Sequence, residues 1–380
     1  MADRIRVLLL FGGRSAEHDV SRVSAVAAAA ALDPARYEVI PVGITTEGRW
    51  VLAHEARALL DGPRDALPAA FAVSGDPVAE VPEPGRQALV PLAGDAAVEV
   101  LPAGGLEFDV VLPLLHGPYG EDGTVQGLFE LAGVPYVGSG VVGSAVGMDK
   151  VMMKRAFAAE GLPMVAHLVY RDGRDRAHFA ERVRSELGFP CFVKPANMGS
   201  SIGVGKVADP TALDAAIDRA LAYDEWIVVE EGVVAREIEV AVLGDDDPAT
   251  SVPGEIVPGD EFYTYADKYE DGAAQLLAPA PISDEAATEV RALAAAAFAA
   301  CRLEGMARVD FFYEERAPDG SPGRGFLINE VNTIPGFTPI SMFPRLWALS
   351  GVPYPELLDR LITHARDRHE RRARRAGRQR

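Results

Sequence analysis

The chain has 380 residues, 48% of them hydrophobic, which is enough for two or three domains with full apolar cores. No apolar run reaches the roughly 18 residues of a membrane-spanning helix, and no basic segment with a signal cleavage site opens the chain. The formal net charge of −19 argues against general nucleic-acid binding. From these features together we expect a cytoplasmic protein without membrane or nucleic-acid partners.

The N-terminal part predicts the start of a doubly wound α/β domain. Residues 5–13, IRVLLLFGG, are typical of a buried parallel strand that runs into a glycine turn. A helix follows, with Ser15 as its predicted N-cap, and YEVIPVGI is the second predicted strand. Residues 53–105 lack periodicity and predict an irregular surface excursion with short strands. FDVVLPLLHG is a further buried strand that ends at His116, and ligands of such folds lie beyond the carboxyl ends of strands.

From residue 145 onward, helices and strands surround a glycine–serine loop. A helix is predicted up to Gly161, then a helix at 177–187 and the strand PCFVKPA. The loop NMGSSIGVGKV offers several backbone N–H groups that can wrap phosphate oxygens, although an ordinary glycine hairpin explains the pattern equally well. Lys194 precedes this loop at the end of an apolar strand, where a buried lysine needs an anion beside it.

Acidic strands and a long loop follow a helix predicted at 210–222. The strands WIVVEEGV and REIEVAVLG, which we predict to pair with each other, carry the acidic residues Glu230, Glu231 and Glu237. Their carboxylates could accept hydrogen bonds from adenine or ribose, or could form a solvated strand edge. Residues 258–275 are long for a loop, which is typical of a functional segment that closes over a site. An exposed hairpin is the alternative.

The strongest functional signal is the set Asp310, Glu330 and Asn332, which lies in the strand-like segments MARVDFFYE and GFLINEVNTIPGF. Glu330 and Asn332 share one face of an alternating strand, and a neighbouring strand with Asp310 would complete an oxygen cluster suited to Mg²⁺. Arg308 shares the face of Asp310. Two strands with polar edges would explain any one of these residues. All four in phase favour metal-assisted phosphoryl transfer.

Several other features allow two interpretations. Glu17, at a helix start, is explained by the helix dipole as well as by ammonium binding, and His116 is equally open. We expect a helix at 283–301, a terminal helix near 353–368, and a disordered basic tail at 366–380. The two cysteines lie in apolar contexts and predict inert buried thiols: Cys191 and Cys301.

A set of ordered segments resembles the D-alanine–D-alanine ligases of the ATP-grasp superfamily. The segments are FGGRSAEHDVS, LLHGPYGEDGTVQG, GSAVGMDK, VKPANMGSSIGVGKV, EEGVVAREIEVAVLG, FYTYADKY, ARVDFF and NEVNTIPGFTPIS. The resemblance implies an N-terminal α/β substrate-binding domain at 1–144 and a two-part ATP-grasp fold, with subdomains at 145–230 and 231–365 and α+β character in the C-terminal half. It also implies a cytoplasmic homodimer that makes D-alanyl-D-alanine from ATP and D-alanine, through D-alanyl phosphate, for peptidoglycan.

The resemblance further implies site residues by matching position. Glu17 would hold the ammonium of the first D-alanine in a network with Ser200 and Tyr269. Arg308 would bind substrate and, with the backbone N–H of Gly336, would stabilise the oxyanion. The remaining implied ligands are His116 and Ser341 for substrate; Lys150, Lys194, Ser201, Glu230, Glu231, Glu237 and Lys268 for ATP; and Asp310, Glu330 and Asn332 for two Mg²⁺ ions, which Mn²⁺ could replace.

Three alternatives stay open. A D-alanine–D-lactate ligase would have the same fold, and Tyr269 argues against it because depsipeptide formers tend to carry another residue there, such as His or Phe. A non-catalytic nucleotide-binding regulatory protein would not need the intact metal triad or Arg308. A different ATP-dependent carboxylate–amine ligase would not need the set Glu17, Ser200 and Tyr269.

Overall fold

A computed structural model describes residues 4–60, 62, 68–80, 83–84, 87–92, 105–258, 275–317, 319–338 and 340–375. Within these ranges the chain forms three β-sheets with helices packed against them. No helix among the described residues combines the length and the apolar composition that crossing a membrane requires.

The first sheet has the strand order β6-β5-β4-β3-β2-β1-β7. One end of the sheet is parallel, with β1 between β2 and β7, and the strands beyond β2 are antiparallel. The elements are β1 Ile5–Gly12, α1 His18–Ala31, β2 Tyr37–Ile44, β3 Trp50–Leu52, α2 His54–Leu60, β4 Asp76–Glu80, β5 Ala88–Pro91, β6 Leu106–Glu107, β7 Val110–Pro113 and α3 Thr124–Ala132. The predicted α/β start is confirmed, and the 53–105 excursion contributes α2 and the short strands β4 and β5 to this layer.

Two local predictions for this region are wrong. Helix α1 begins at His18, so Ser15 is not its N-cap; the Ser15 hydroxyl instead accepts a hydrogen bond from the Glu17 N–H at 3.2 Å. Strand β7 ends at Pro113, so His116 lies in the loop beyond it. Both differences place polar side chains in the loops at the carboxyl edge of the parallel strands, where a ligand can reach them.

The second sheet is antiparallel, with the order β10-β9-β11-β8. Cys191 and Val193 of β9 pack on one face with the apolar sides of the helices, so Phe192 and Lys194 point to the other face. The elements are α4 Val141–Met148, α5 Lys150–Ala159, β8 His167–Arg171, α6 Arg176–Arg182, a π-helical turn Val183–Leu187, β9 Cys191–Pro195, β10 Gly205–Val207, a 3₁₀ turn Pro210–Ala212, α7 Leu213–Leu221 and β11 Trp226–Glu231.

The third sheet is also antiparallel, with the order β15-β14-β12-β16-β17, and β13 pairs with β12. The elements are β12 Arg236–Gly244, β13 Ala249–Thr250, β14 Gly254–Val257, β15 Gln275–Leu277, α8 Asp284–Ala300, β16 Gly305–Arg316, β17 Pro322–Asn332, α9 Met342–Leu349 and α10 Tyr354–Ala373. The helix predicted at 283–301 is α8, and the Ser283 hydroxyl caps its N-terminus.

The predicted pairing of β11 with β12 is wrong. Strand β11 pairs with β8 and β9, whereas β12 pairs with β13, β14 and β16. Each strand is central in its own sheet, and residues 232–235 carry the chain from one sheet to the other. Because both edges of β11 are occupied, β12 has no place beside it.

The predicted disordered tail at 366–380 is wrong for residues 366–373, which continue helix α10. Arg368 is only 3% exposed; it donates to the carbonyl of Tyr136 at 2.7 Å and to that of Gly138. Arg372 forms an ion pair with Glu304 at 2.6 Å. The arginines of this stretch therefore join the last helix to the rest of the protein. Residues 376–380 lie outside the described part.

A large hydrophobic core connects the first sheet with α9, α10 and part of the third sheet. Separate cores lie between the third sheet and α8, and between the second sheet and its own helices. Both cysteines are buried, as predicted. Burial raises the pKa of Cys191 to about 11, so its thiol stays protonated and inert.

Candidate active site

Two connected clefts lie where the three sheets meet. The smaller has about 820 Å³ of open space, and the larger, between the second and third sheets, has about 1540 Å³. Both are lined by the same five residues: Gly199, Ser200, Glu239, Ile256 and Arg308. One ligand in each cleft would therefore meet the other beside Arg308.

Glu17 and Ser200 form a polar pair in the smaller cleft, although they come from distant parts of the chain. The Ser200 hydroxyl donates to Glu17 Oε1 at 2.5 Å, and Glu17 is 8% exposed. A Cβ atom at Gly117 or Gly199 would lie only 3.2 Å from Glu17 Oε2, so glycine at these positions lets the loops close around the carboxylate. Such a carboxylate can bind a small ammonium group. Tyr269, the third member of the predicted network, lies outside the described residues.

His116 is buried beside this pair. Its Nδ1 is 3.0 Å from the Ile334 carbonyl and its Nε2 is 3.3 Å from the Ser24 hydroxyl. Burial lowers the pKa of His116, which favours the neutral ring. The geometry therefore shows that the predicted residue lines the smaller cleft and links α1 to the segment after β17.

Glu121 is a cleft residue that the sequence analysis missed. Its carboxylate accepts the N–H of Gly117 at 2.8 Å and the N–H of Ile334 at 3.0 Å. Burial, together with the nearby Glu17 carboxylate, raises the pKa of Glu121 to about 8. Its position in the glycine loop GPYGEDG, directly after His116, is the only sequence signal that pointed to it.

The residues of the predicted oxygen cluster lie together on β16 and β17. Asp310 lies opposite Glu330, and Arg308 lies opposite Asn332. Arg308 donates to both oxygens of Asp310 at 2.8 and 2.7 Å, and the Asn332 amide donates to Asp310 at 2.9 Å. Glu239, which the sequence analysis did not single out, faces the same group from β12, with its Oε1 3.2 Å from Arg308 Nε.

Arg308 is the central cation of this cluster. Burial alone would lower its pKa, but Asp310 and Glu239 raise the pKa of Arg308 well above its ordinary value. It is therefore permanently charged, and the carboxylates hold its planar guanidinium in one orientation.

The donor chemistry of the cluster fits a hard divalent cation. Asp310 and Glu330 offer carboxylate oxygens and Asn332 an amide oxygen, which are ligands that Mg²⁺ prefers. Among the described residues, no three His, Cys, Asp or Glu side chains gather as a metal site. A bound cation would therefore also need oxygens from another source, such as a phosphate.

Lysines surround the larger cleft. Lys150, at the start of α5, donates to the Met198 carbonyl at 2.7 Å and lies 3.3 Å from Glu330. Lys194 is 2.6 Å from Glu230 Oε2 and donates to Asn329 at 3.2 Å. These cations can attract a polyanion into a cleft.

The wall of the larger cleft combines apolar and acidic side chains. Glu231 accepts the N–H of Ala166 at 2.7 Å and pairs with Arg324 at 2.7 Å. Three further predicted residues line the same cleft: Ser201, Glu230 and Glu237. It is also lined by the apolar side chains of Phe192, Val204, Val233 and Phe312. An apolar slot with acidic edges suits a flat nucleobase that carries polar groups along its edge. Lys268 lies outside the described residues.

Gly336 and Ser341 lie together at the far end of the smaller cleft. A Cβ atom at Gly336 would be 2.9 Å from the Ser341 hydroxyl, so glycine permits this close approach. The Ser341 hydroxyl accepts the Thr338 N–H at 3.1 Å at the start of helix α9. The predicted carboxylate ligand and oxyanion donor are therefore neighbours in the cleft.

Comparison with known proteins agrees with this architecture. The chain matches two family profiles, "D-ala D-ala ligase N-terminus" over residues 6–139 and "D-ala D-ala ligase C-terminus" over residues 156–363. It is 48% identical to a D-alanine–D-alanine ligase of Geobacillus kaustophilus, covering 97% of this chain and 96% of the relative. It is 49% identical to one of Mycobacterium sp. strain KMS, covering 95% and 96%.

Two solved structures share the fold. The D-alanine–D-alanine ligase of Coxiella burnetii aligns with a TM-score of 0.80 at 33% identity, over 98% of this chain and 96% of that one. The VanG D-Ala:D-Ser ligase of Enterococcus faecalis aligns with a TM-score of 0.80 at 31% identity, over 96% and 100%. With its two profile matches and these relatives, the chain belongs to the D-alanine–D-alanine ligase family, whose members have the ATP-grasp fold.

Proposed function

We propose that this enzyme joins two D-alanines to D-alanyl-D-alanine through a D-alanyl phosphate intermediate, with conversion of ATP to ADP and phosphate, for peptidoglycan synthesis. The observation that carries the proposal is the position of Arg308, which lines both the cleft with the Glu17–Ser200 pair and the cleft with the lysines. An amino acid in the first cleft and a nucleotide in the second would place carboxylate and terminal phosphate together beside this cation.

Residues 1–144 would bind the first substrate, and 145–230 and 231–365 would grip the nucleotide between them. Glu17 would hold the ammonium of the first D-alanine, with Ser200 fixing the carboxylate. Lys150 and Lys194 would contact ATP phosphates, and the acidic residues of the larger cleft would face adenine and ribose. Tyr269 and Lys268 would complete the two sites from the loop.

Two Mg²⁺ ions would be held by Asp310, Glu330 and Asn332, whose hard oxygens suit them. Bound there, the ions would screen the repulsion between the phosphates and the substrate carboxylate. The site must hold the terminal phosphate and the substrate carboxylate together although both are negatively charged. Arg308 contributes a further fixed positive charge for this purpose. Loss of Mg²⁺ should therefore abolish turnover.

The second half of the reaction places demands on Gly336, Arg308 and Ser341. A carboxylate is a poor acceptor for an amine, and its phosphorylation supplies a good leaving group. Attack by the second amine then creates a tetrahedral oxyanion, for which Arg308 and the Gly336 N–H would be the donors. Ser341 would bind the carboxylate of the second D-alanine. This amine must attack uncharged, which a water-poor site favours.

The test is ADP release from ATP with a panel of D- and L-amino acids, D-serine and D-lactate, with and without Mg²⁺. We expect Mg²⁺-dependent ADP release with D-alanine and a D-alanyl-D-alanine product identified by mass. Preferential incorporation of D-lactate or D-serine at neutral pH would refute the choice of second substrate. Absence of ADP release with every acceptor would refute the catalytic proposal. We also propose the homodimer and the cytoplasmic location that the resemblance implies. Analytical sedimentation would test the first, and cell fractionation would test the second.

A further inference from the structure

Lys154 is a fully buried cation that none of the roles above uses. It lies one turn after Lys150 on helix α5 and is 0% exposed. Its Nζ is 2.7 Å from Glu230 Oε1, while Lys194 Nζ is 2.6 Å from Glu230 Oε2. Each oxygen of this carboxylate therefore has its own ammonium partner.

The two lysines differ in their access to the nucleotide cleft. Lys194 and Glu230 line it, whereas Lys154 does not and lies behind Glu230. Lys194 also reaches Asn329, so it has a second partner at the cleft surface. A ligand can engage Lys194 directly, but it can engage Lys154 only through Glu230.

Glu230 stays ionised in this arrangement. Burial alone would raise its pKa, but Lys154 and Lys194 together bring the pKa of Glu230 below its ordinary value. If Lys194 turned toward a phosphate in the absence of Lys154, Glu230 would become an unpaired buried charge, which is strongly unfavourable. Lys154 provides a counter-ion that stays in place when Lys194 moves.

The charge state of Glu230 determines what it can recognise. An ionised carboxylate only accepts hydrogen bonds, so it matches an amino group and repels a carbonyl oxygen. It stands in the cleft beside Phe192 and Phe312, where a flat base fits. A purine with a 6-amino group would satisfy it, and a purine with a 6-keto group would not.

We propose that Lys154 is a positioning residue that holds Glu230 as a fixed, acceptor-only carboxylate at the base end of the cleft and thereby makes the site select 6-amino purines. The inference rests on the proposed nucleotide site. It concerns binding alone, so it can be measured with ADP and IDP, which differ at position 6 of the purine, in the absence of amino acid.

The experiment is calorimetric titration of the full chain with ADP and with IDP, in the wild type and in Lys154→Met, Glu230→Gln and the double variant. We expect wild type to prefer ADP by about tenfold or more, as one hydrogen bond to a charged group provides. Lys154→Met should lower the ratio of ADP affinity to IDP affinity about fivefold or more, mainly by weakening ADP binding. Glu230→Gln should bring the ratio close to one, and the double variant should not differ from it.

Lys206→Met is the matched control, because Lys206 is exposed on β10 and does not line the cleft, and it should keep the wild-type ratio. If Lys154→Met does not fold, Lys154→Gln is titrated in its place. An unchanged ratio, or equal weakening of ADP and IDP, would overturn the positioning role. Failure of the folded wild type to bind ADP would instead overturn the proposed function.

Discussion

Substitution of Arg308 by lysine or alanine separates its contribution to catalysis from its contribution to folding. Arg308 donates both N–H groups of one edge to Asp310 and lies 3.2 Å from Glu239, which is 4% exposed. Arg308→Lys keeps the positive charge for these carboxylates but loses the planar fork that orients it. Arg308→Ala removes the charge as well, so the two carboxylates lose their shared cation.

The expected magnitudes differ for the two variants. A single oxyanion donor contributes about 3 kcal/mol, so Arg308→Lys should lower kcat by about 10². Removal of one partner of a buried ion pair costs about 3–5 kcal/mol. The Arg308 side chain is largely buried, at 16% exposed, so Arg308→Ala should lower the free energy of unfolding by up to about that amount in addition to its loss of activity. Arg308→Lys should unfold close to wild type.

The assays are steady-state ADP release with D-alanine and Mg²⁺, and urea unfolding of the same preparations. Arg316→Lys is the matched control, because Arg316 lies exposed at the end of the same strand β16. A kcat for Arg308→Lys within about twofold of wild type would refute the oxyanion role. An unchanged free energy of unfolding for Arg308→Ala would refute the buried-cation reasoning.

Three further predictions test other contacts. Ser200→Ala removes the hydrogen bond to Glu17 and should raise KM for D-alanine about tenfold; equal KM values for D-alanine in both proteins would contradict it. Because the pKa of Glu121 is raised to about 8 in the folded state from an ordinary 4.5, it contributes stability that is complete below about pH 4.5 and is lost as pH rises through 8. The free energy of unfolding of Glu121→Gln should therefore fall less than that of the wild type between low pH and pH above 8, as measured by urea titration. Identical pH profiles of the two proteins would argue against this. Arg368→Met leaves buried carbonyls unpaired and should lower the free energy of unfolding by about 3 kcal/mol, whereas the exposed Arg374→Met should change it little; equal urea midpoints for the two variants would exclude the buried role.

The cluster around Arg308 was predictable because strand periodicity determines the face of each residue. Residues two apart on one strand share a face, so Arg308 joins Asp310 and Glu330 joins Asn332 without knowledge of the fold. What periodicity does not specify is the register between two strands. The pairing of β16 with β17 supplied it, and the antiparallel neighbours then brought the four side chains together.

The residues that were missed depend on contacts across the fold. Lys154 looks like an ordinary helix lysine, and only its burial against Glu230 distinguishes it. Glu239 is one acid among several in REIEVAVLG until β12 is placed beside β16. The arginines of residues 366–373 have the composition of a solvated tail, and a buried arginine such as Arg368 is recognisable only from the carbonyls that surround it.

The chain order also failed to predict the sheet partners of β11 and β12. A four-residue connection between two apolar strands is typical of a hairpin. Here the same connection carries the chain between two sheets, because β8 and β9 already occupy both edges of β11. Local pattern indicates that a strand exists, whereas its neighbours depend on competition among all the strands.

The hydrophobic core that runs from the first sheet through helices α9 and α10 joins the beginning of the chain to its end. Glu17, Arg308 and Ser341 consequently lie on elements that share one hydrophobic core, and packed side chains set their spacing. The four-stranded sheet has a core of its own and meets helix α5 through the small cluster of Val151, Ala196 and Val228. The amino-acid cleft and the four-stranded sheet therefore depend on the packing of different cores.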